Sequence, residues 1–118
     1  MSTIAKSDEV INVSKNRKQI AEEFAKEVTK RFGDEIESII LFGSVAREED
    51  DAESDVDVLI IWYGDKVKGW DELEEVAFDY FIRYNTLISI KLISPAEYKY
   101  MEDFLFMKDV QKEGVVIG

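Results

Sequence analysis

Ile36-Glu37-Ser38-Ile39-Ile40-Leu41-Phe42-Gly43-Ser44, then ten residues, then Asp55-Val56-Asp57-Val58-Leu59-Ile60-Ile61-Trp62 is the stretch that decides the fold. Its first half is rich in β-branched residues and stops abruptly at Gly43-Ser44, which favours a strand over a helix. Its second half places Val56, Val58 and Ile60 on one side and Leu59 and Ile61 on the other. A strand apolar on both faces is a central strand covered on both sides. Between the two strands, Val45 to Ser54 is polar and holds Arg47, Glu48, Glu49, Asp50, Asp51 and Glu53. Its first residues predict a helical turn and the remainder a loop.

Upstream, Ile20, Ala21, Phe24, Ala25, Val28 and Phe32 recur at three- and four-residue spacing and predict a helix from about Ser14 to Phe32. Gly33 follows as a left-handed C′ residue. Met1 to about Val13 reads as a loosely attached arm, with Val10, Ile11 and Val13 available to dock. Downstream, Tyr63 to Gly69 reads as a loop and Trp70 to Tyr84 as a helix, with Leu73, Val76, Ala77, Tyr80, Phe81 and Tyr84 on its apolar stripe. Leu87 to Ile93 predicts a third strand. Ser94-Pro95-Ala96-Glu97 is a capping box with proline at N1, opening one or two short helices that Gly114 ends. Val115-Val116-Ile117 is an apolar tail that adds a short strand or docks. The order α-β-α-β-α-β-α predicts a single α/β domain over 1–118 with a small sheet.

The composition excludes much. The chain of 118 residues has no histidine and no cysteine. That rules out a Ser-His-Asp triad, a cysteine nucleophile, a zinc site of the usual ligands and a disulfide framework. Any metal is therefore a hard ion held by carboxylates: magnesium, calcium or manganese. With 26 acidic and 15 basic side chains the net charge is −11, which argues against a nonspecific grip on nucleic-acid phosphates. The apolar runs Ser38 to Phe42 and Val58 to Tyr63 are far too short to span a bilayer. No signal peptide is read at the start, and the cytoplasm is the expected location. Trp62, Trp70 and Phe78 read as core or rim, and Glu48 to Asp51 as a solvated loop.

Chemistry gathers at Gly43-Ser44 and Asp55-Val56-Asp57. Eleven aspartates give about one Asp-x-Asp triplet by chance, so that pair alone decides nothing. Gly-Ser at the fixed offset lowers the joint expectation to roughly a few in a thousand. Two apart on a strand, Asp55 and Asp57 project from one face about 7 Å apart and reach toward the same metal or metal pair. Gly43 lets the backbone approach a ligand closely, while the Ser44 hydroxyl and nearby N–H groups donate to phosphate oxygens. Arg47, one turn further on, is placed for a charge-assisted phosphate contact. Together these parts read as a site for a metal–nucleoside triphosphate complex. No Walker A sequence is present.

Leu41-Phe42-Gly43-Ser44-Val45-Ala46-Arg47 with Ser54-Asp55-Val56-Asp57-Val58-Leu59-Ile60 resembles the minimal nucleotidyltransferases of the DNA polymerase β superfamily. The closing Lys112-Glu113-Gly114-Val115-Val116 is also similar to the group. The resemblance implies the nucleotidyltransferase fold with a small mixed sheet, and transfer of a nucleoside monophosphate, AMP from ATP, to an acceptor hydroxyl. It implies Gly43 and Ser44 on the β- and γ-phosphates and magnesium on Asp55 and Asp57. Small stand-alone members are similar to the antitoxin half of HEPN/minimal nucleotidyltransferase pairs, whose partner is a helical RNase modified on a tyrosine. The alternatives are a catalytically weakened nucleotide-binding or antitoxin-like interaction protein and, more weakly, a nucleotide-sensing domain. Homo-oligomer formation stays open. Phe104-Leu105-Phe106-Met107 reads as core or as a docking patch.

One departure from the family pattern matters. Its active members usually carry a third carboxylate on the following strand, which here reads Leu87-Ile88-Ser89-Ile90-Lys91-Leu92-Ile93. Ser89 and Lys91 share the face where that acid is expected. Lys91 either points at Asp55 and Asp57 and competes with a metal, or lies at the strand edge and reaches solvent. Asp79 or the acidic loop are candidate substitutes, and nothing in the sequence selects between them.

Overall fold

The computed structural model describes residues 15–118, so the N-terminal arm expected over 1–13 lies outside the described residues. The described fold starts where a capping box closes: the Asn16 side chain accepts from the Gln19 N–H, and the Gln19 side chain returns to the Asn16 N–H. Helix α1 (Arg17–Phe32) then buries the predicted stripe Ile20, Ala21, Phe24, Ala25 and Val28, with Lys30 and Arg31 at its carbonyl end. Gly33 departs from the left-handed expectation. Its φ of −50° and ψ of −39° are right-handed, and it opens a 3-10 turn, Gly33–Glu35. The Ile36 N–H bonds back to the Gly33 carbonyl, so the exit is tightened and delivers the chain directly into a strand.

Four strands follow: β1 (Ile36–Phe42), β2 (Val56–Trp62), β3 (Ile88–Ile93) and β4 (Val115–Val116), in the spatial order β3-β2-β1-β4. β2 is antiparallel to β1 and parallel to β3, and β4 pairs antiparallel with β1 through Leu41 and Val115. The sheet is therefore mixed, and β2 is internal as its two apolar sides predict. Between the strands lie α2 (Gly43–Ala46), α3 (Lys66–Tyr84), α4 (Pro95–Tyr100) and α5 (Leu105–Glu113). The apolar tail adds the short strand β4.

Helix α3 begins at Lys66, four residues before the expected Trp70. Asp65 is the reason, since its side chain accepts from the Val67 and Lys68 N–H groups. Gly69, read as a loop residue, is a packing device inside the helix: a Cβ there would lie 2.7 Å from the Trp62 ring. The left-handed residue that ends a helix is instead Asn85, at φ 52°, at the close of α3.

The two faces of the sheet have different covers. Val56, Val58, Ile60 and Trp62 face α1 and α3 and share a core with Phe24, Val28, Leu73 and Tyr80. Ile40, Leu59 and Ile61 face the other way, under Met107 and Val110 of α5. This second cover is short. It leaves the end of the sheet that carries Asp57, Ser89 and Lys91 partly or fully open. Among the described residues, no helix is long and apolar enough to cross a membrane.

Candidate active site

The site is built where β1 gives way to α2. Phe42, the last residue of β1, sits opposite Asp57 of β2, and Ser89 of β3 is the register partner on the other side of Asp57. Gly43 then turns the chain with a φ of +76°. A Cβ built on it would lie 2.4 Å from Asp57 Oδ2, so only a glycine lets this backbone lie against that carboxylate. Ser44 follows within α2 and is half-buried. Backbone bonds from the Arg47, Glu48 and Glu49 N–H groups to Gly43, Val45 and Ser44 close the turn.

The loop that delivers Asp55 is knitted by its own side chains. The Asp51 N–H donates to Ser54 Oγ at 2.9 Å, and Asp51 Oδ1 accepts from the Glu53 N–H. Arg17, from the first turn of α1, donates through Nε to the Ser54 carbonyl at 2.8 Å and through Nη2 to the Ala52 carbonyl. Its Nη1 lies 3.9 Å from Asp50. The residue before Asp55 is thus held by a guanidinium 37 positions away in sequence. Arg17→Ala is expected to lower any activity of this site about tenfold and stability by about 1–2 kcal/mol through the two lost charge-assisted bonds. Urea denaturation and an initial-rate assay read both effects, and Arg17→Lys, which keeps the charge and loses the fork, should fall between.

Asp57 is half-buried, and that burial pushes its carboxyl above the usual range. The Asp55 charge pushes it the same way, while Lys91 and Arg47 pull against both. The two aspartates are thus electrostatically coupled, as their spacing predicts. Asp55 itself lies one residue before the strand begins.

Arg47 does not stand free over the turn. Its Nε bonds Glu49 at 2.9 Å and its Nη1 bonds Glu113 of α5 at 3.1 Å, which raises its already high pKa. A small cavity of about 190 Å³ lies beside it, lined by Phe42, Gly43, Arg47, Phe106, Asp109 and Glu113. Lys91 resolves into a third arrangement beyond the two expected. It is exposed on the edge strand, yet its Nζ sits 5.7 Å from the Phe106 ring centroid, over the ring. No ion pair joins it to either aspartate among the described residues. Its charge still bears on Asp57.

The donors present suit a hard divalent cation. They are two electrostatically coupled carboxylates, one of them destabilised by partial burial, with a glycine packed against it and a serine next in the chain. A cation there would relieve the repulsion that raises Asp57. No group of three carboxylates forms a metal cluster among the described residues, and Ser89 holds the position beside Asp57 on β3. Arg17, Phe106 and Glu113 escaped sequence reasoning because each acts across the fold. The acidic loop is exposed, as expected, and its acids serve Arg47, Arg17 and the loop itself.

With this geometry in view, the relatives can be placed. The model of the family described as nucleotidyltransferase domain matches residues 21–117. A Methanocaldococcus jannaschii protein named as a candidate protein adenylyltransferase is 36% identical over 84% of this chain and 96% of its own length. A second from the same organism, with the same kind of name, is 28% identical over 86% and 98%. Among solved structures, a toxin–antitoxin complex with AMP-PNP aligns with a TM-score of 0.53 and 17% identity, over 82% of this chain and 72% of that one. That likeness is one of fold.

Proposed function

The chain belongs to the nucleotidyltransferase domain family, and from that premise we propose that it transfers AMP from ATP to a hydroxyl of a partner protein, a tyrosine of a HEPN-type toxin, with magnesium. One observation supports the reading: Gly43 brings the start of α2 against the Asp57 carboxylate, which would let a turn that donates to phosphate and a pair that binds a cation act at one point.

The roles follow from the residues. The Ser44 hydroxyl and the N–H groups of the turn donate to the β- and γ-phosphates. Gly43 keeps the backbone clear for that approach. Asp55 and Asp57 would hold magnesium, which when bound would neutralise triphosphate charge and favour in-line attack at the α-phosphorus. The acceptor oxygen bonds the α-phosphorus as the α–β P–O bond breaks. Pyrophosphate leaves, and the hydroxyl proton passes to solvent. The chain's part is positioning and electrostatics, so the lack of histidine costs it nothing. The names of the M. jannaschii relatives support adenylyl transfer to protein, and the toxin–antitoxin neighbour makes a toxin the first acceptor to try.

The test is transfer from α-labelled ATP to a co-expressed toxin-like partner, with the AMP adduct mapped by mass spectrometry. A labelled tyrosine that disappears with Asp55→Asn and Asp57→Asn is the expected result. Equal partner binding by wild type and the double variant, with no label in either, would leave a nucleotide-binding antitoxin-like protein. That second reading draws on Ser89 standing where an acid is expected. A binding measurement bears on it without turnover. Removing the Lys91 ammonium near the aspartates should tighten magnesium about threefold, since a repelling charge on the cation's side is lost. Ser89→Asp should tighten it about tenfold by adding a ligand. Calorimetric titration of the nucleotide-free protein reads both, and weaker binding by Ser89→Asp would mean that this register position does not face the ion.

A further inference from the structure

Helix α3 is apolar over more of its surface than the core uses. At 100° per residue, Leu73, Val76, Ala77 and Tyr80 turn one arc to the sheet and are buried. An adjoining arc of about 120° carries Val67, Trp70, Phe78, Phe81 and Ile82. These side chains are 76%, 41%, 61%, 39% and 68% exposed. Phe81, expected on the core stripe, belongs to this outer arc. Phe78 and Phe81 stack with centroids 6.5 Å apart. With Glu74, Leu87 and Ile88 they wall an open groove of about 430 Å³ between α3 and the start of β3, the edge strand. A contiguous patch of this kind marks a surface that something covers.

The charges around it select the cover. Glu74 and Asp71 lie within the arc, Glu75 at its outer border and Asp79 about 60° further round, all exposed. None of the four forms an ion pair among the described residues. Of the nearby cations, Arg83 is taken by Glu23 and by the Tyr80 ring, and Lys66 by Glu97. Lys68 alone adds a positive charge along that border. The geometry points to a docking surface for a basic amphipathic helix of a partner protein, its apolar side chains in the groove and its lysines or arginines against these four carboxylates. From Val67 to Ile82 the arc is about 24 Å long, room for about four turns of a partner helix. A second copy of this chain is a poor cover, because a two-fold contact would set four carboxylates against four. The surface lies on the layer opposite the α5 side of the sheet, so a docked partner leaves Asp57 accessible. The inference does not rest on the transfer reaction and is tested without nucleotide.

The probe is a synthetic 18-residue Leu/Lys amphipathic helix, with a Leu/Glu helix of identical apolar face as its counterpart. Binding to the full chain is followed by calorimetry and by the emission of Trp70, since Trp62 is buried. The Leu/Lys helix should bind and the Leu/Glu helix should not. Phe78→Glu with Ile82→Glu, both at exposed positions, should weaken binding at least tenfold. That outcome is discriminating, because added negative charge would tighten a purely electrostatic contact. Glu74→Lys with Asp79→Lys should weaken it at least fivefold. Unchanged or tighter binding by the glutamate variant overturns the proposal. So does a dimer in sedimentation that the glutamate variant dissociates, which assigns the face to a second copy. Displacement of the probe by a peptide of residues 1–14 also overturns it, in favour of the chain's own N-terminus.

Discussion

Asp57→Asn is expected to lower nucleotidyl transfer at least about a thousandfold, equivalent to about 4 kcal/mol of transition-state stabilisation, while raising Tm by about 2 °C or more at neutral pH. Both halves come from one carboxylate. Asp57 is half-buried beside Asp55, and each circumstance penalises its charge. Its folded pKa is therefore raised above the ordinary value of 3.8. Below that value the group is protonated in folded and unfolded chains alike and costs nothing. As pH rises from there to the folded pKa, the unfolded chain ionises first, so stability declines relative to a neutral residue. Above the folded pKa the penalty is complete and constant. The gap in Tm between the variant and wild type should thus open from about pH 4 upward and then level off. Differential scanning calorimetry of the metal-free proteins across that range reads it. Magnesium with ATP should raise the wild-type Tm by mass action and leave the variant nearly unmoved. A variant less stable than wild type at neutral pH would mean that Asp57 is a structural ion rather than a strained functional one.

The same carboxylate marks what the chain reveals in one dimension and what it withholds. Val56, Val58 and Ile60 against Leu59 and Ile61 predict an internal strand because alternation and burial are both local properties, and β2 is internal. Gly43-Ser44 and the aspartate pair were legible for the same reason: each is a short pattern with a fixed offset. Three kinds of feature were not. Gly69 lies inside a helix because Trp62, seven residues earlier, needs its missing Cβ, a packing fact that composition renders as a loop. The stripe of α3 merges two apolar arcs that periodicity alone cannot separate, so Phe81 was assigned to the core. Arg17, Glu113 and Phe106 reach the site from distant elements, and only the folded register brings them there. Arg47 shows the converse. Its position near the turn was foreseen and Glu49 is its near neighbour in sequence, but its bond to Glu113 is a consequence of α5 ending beside α2.

Gly43→Ala should lower transfer about a hundredfold, with a stability loss of about 1–2 kcal/mol, and the two effects have separable causes. At φ +76° an L-residue is strained wherever it points, which sets the stability term. The new Cβ would also lie 2.4 Å from Asp57 Oδ2 and 3.3 Å from its Cγ. The end of a short side chain can swing away at modest energetic cost, but it then leaves the position in which it faces Asp55. A displacement of about 1 Å at a reacting centre is enough for a hundredfold loss. Gly33→Ala is the matched control. Gly33 is right-handed and a Cβ there meets nothing within 4 Å, so that variant should keep full activity and gain up to about 1 kcal/mol. A double-mutant cycle divides the Gly43 effect. Asp57→Ala removes the atom that the new Cβ strikes, so Gly43→Ala should cost less stability in that background than in wild type. The part that persists is the strain of the positive φ. An identical cost in both backgrounds, measured by urea denaturation, would show that the carboxylate yields freely and that the glycine is there for the turn alone.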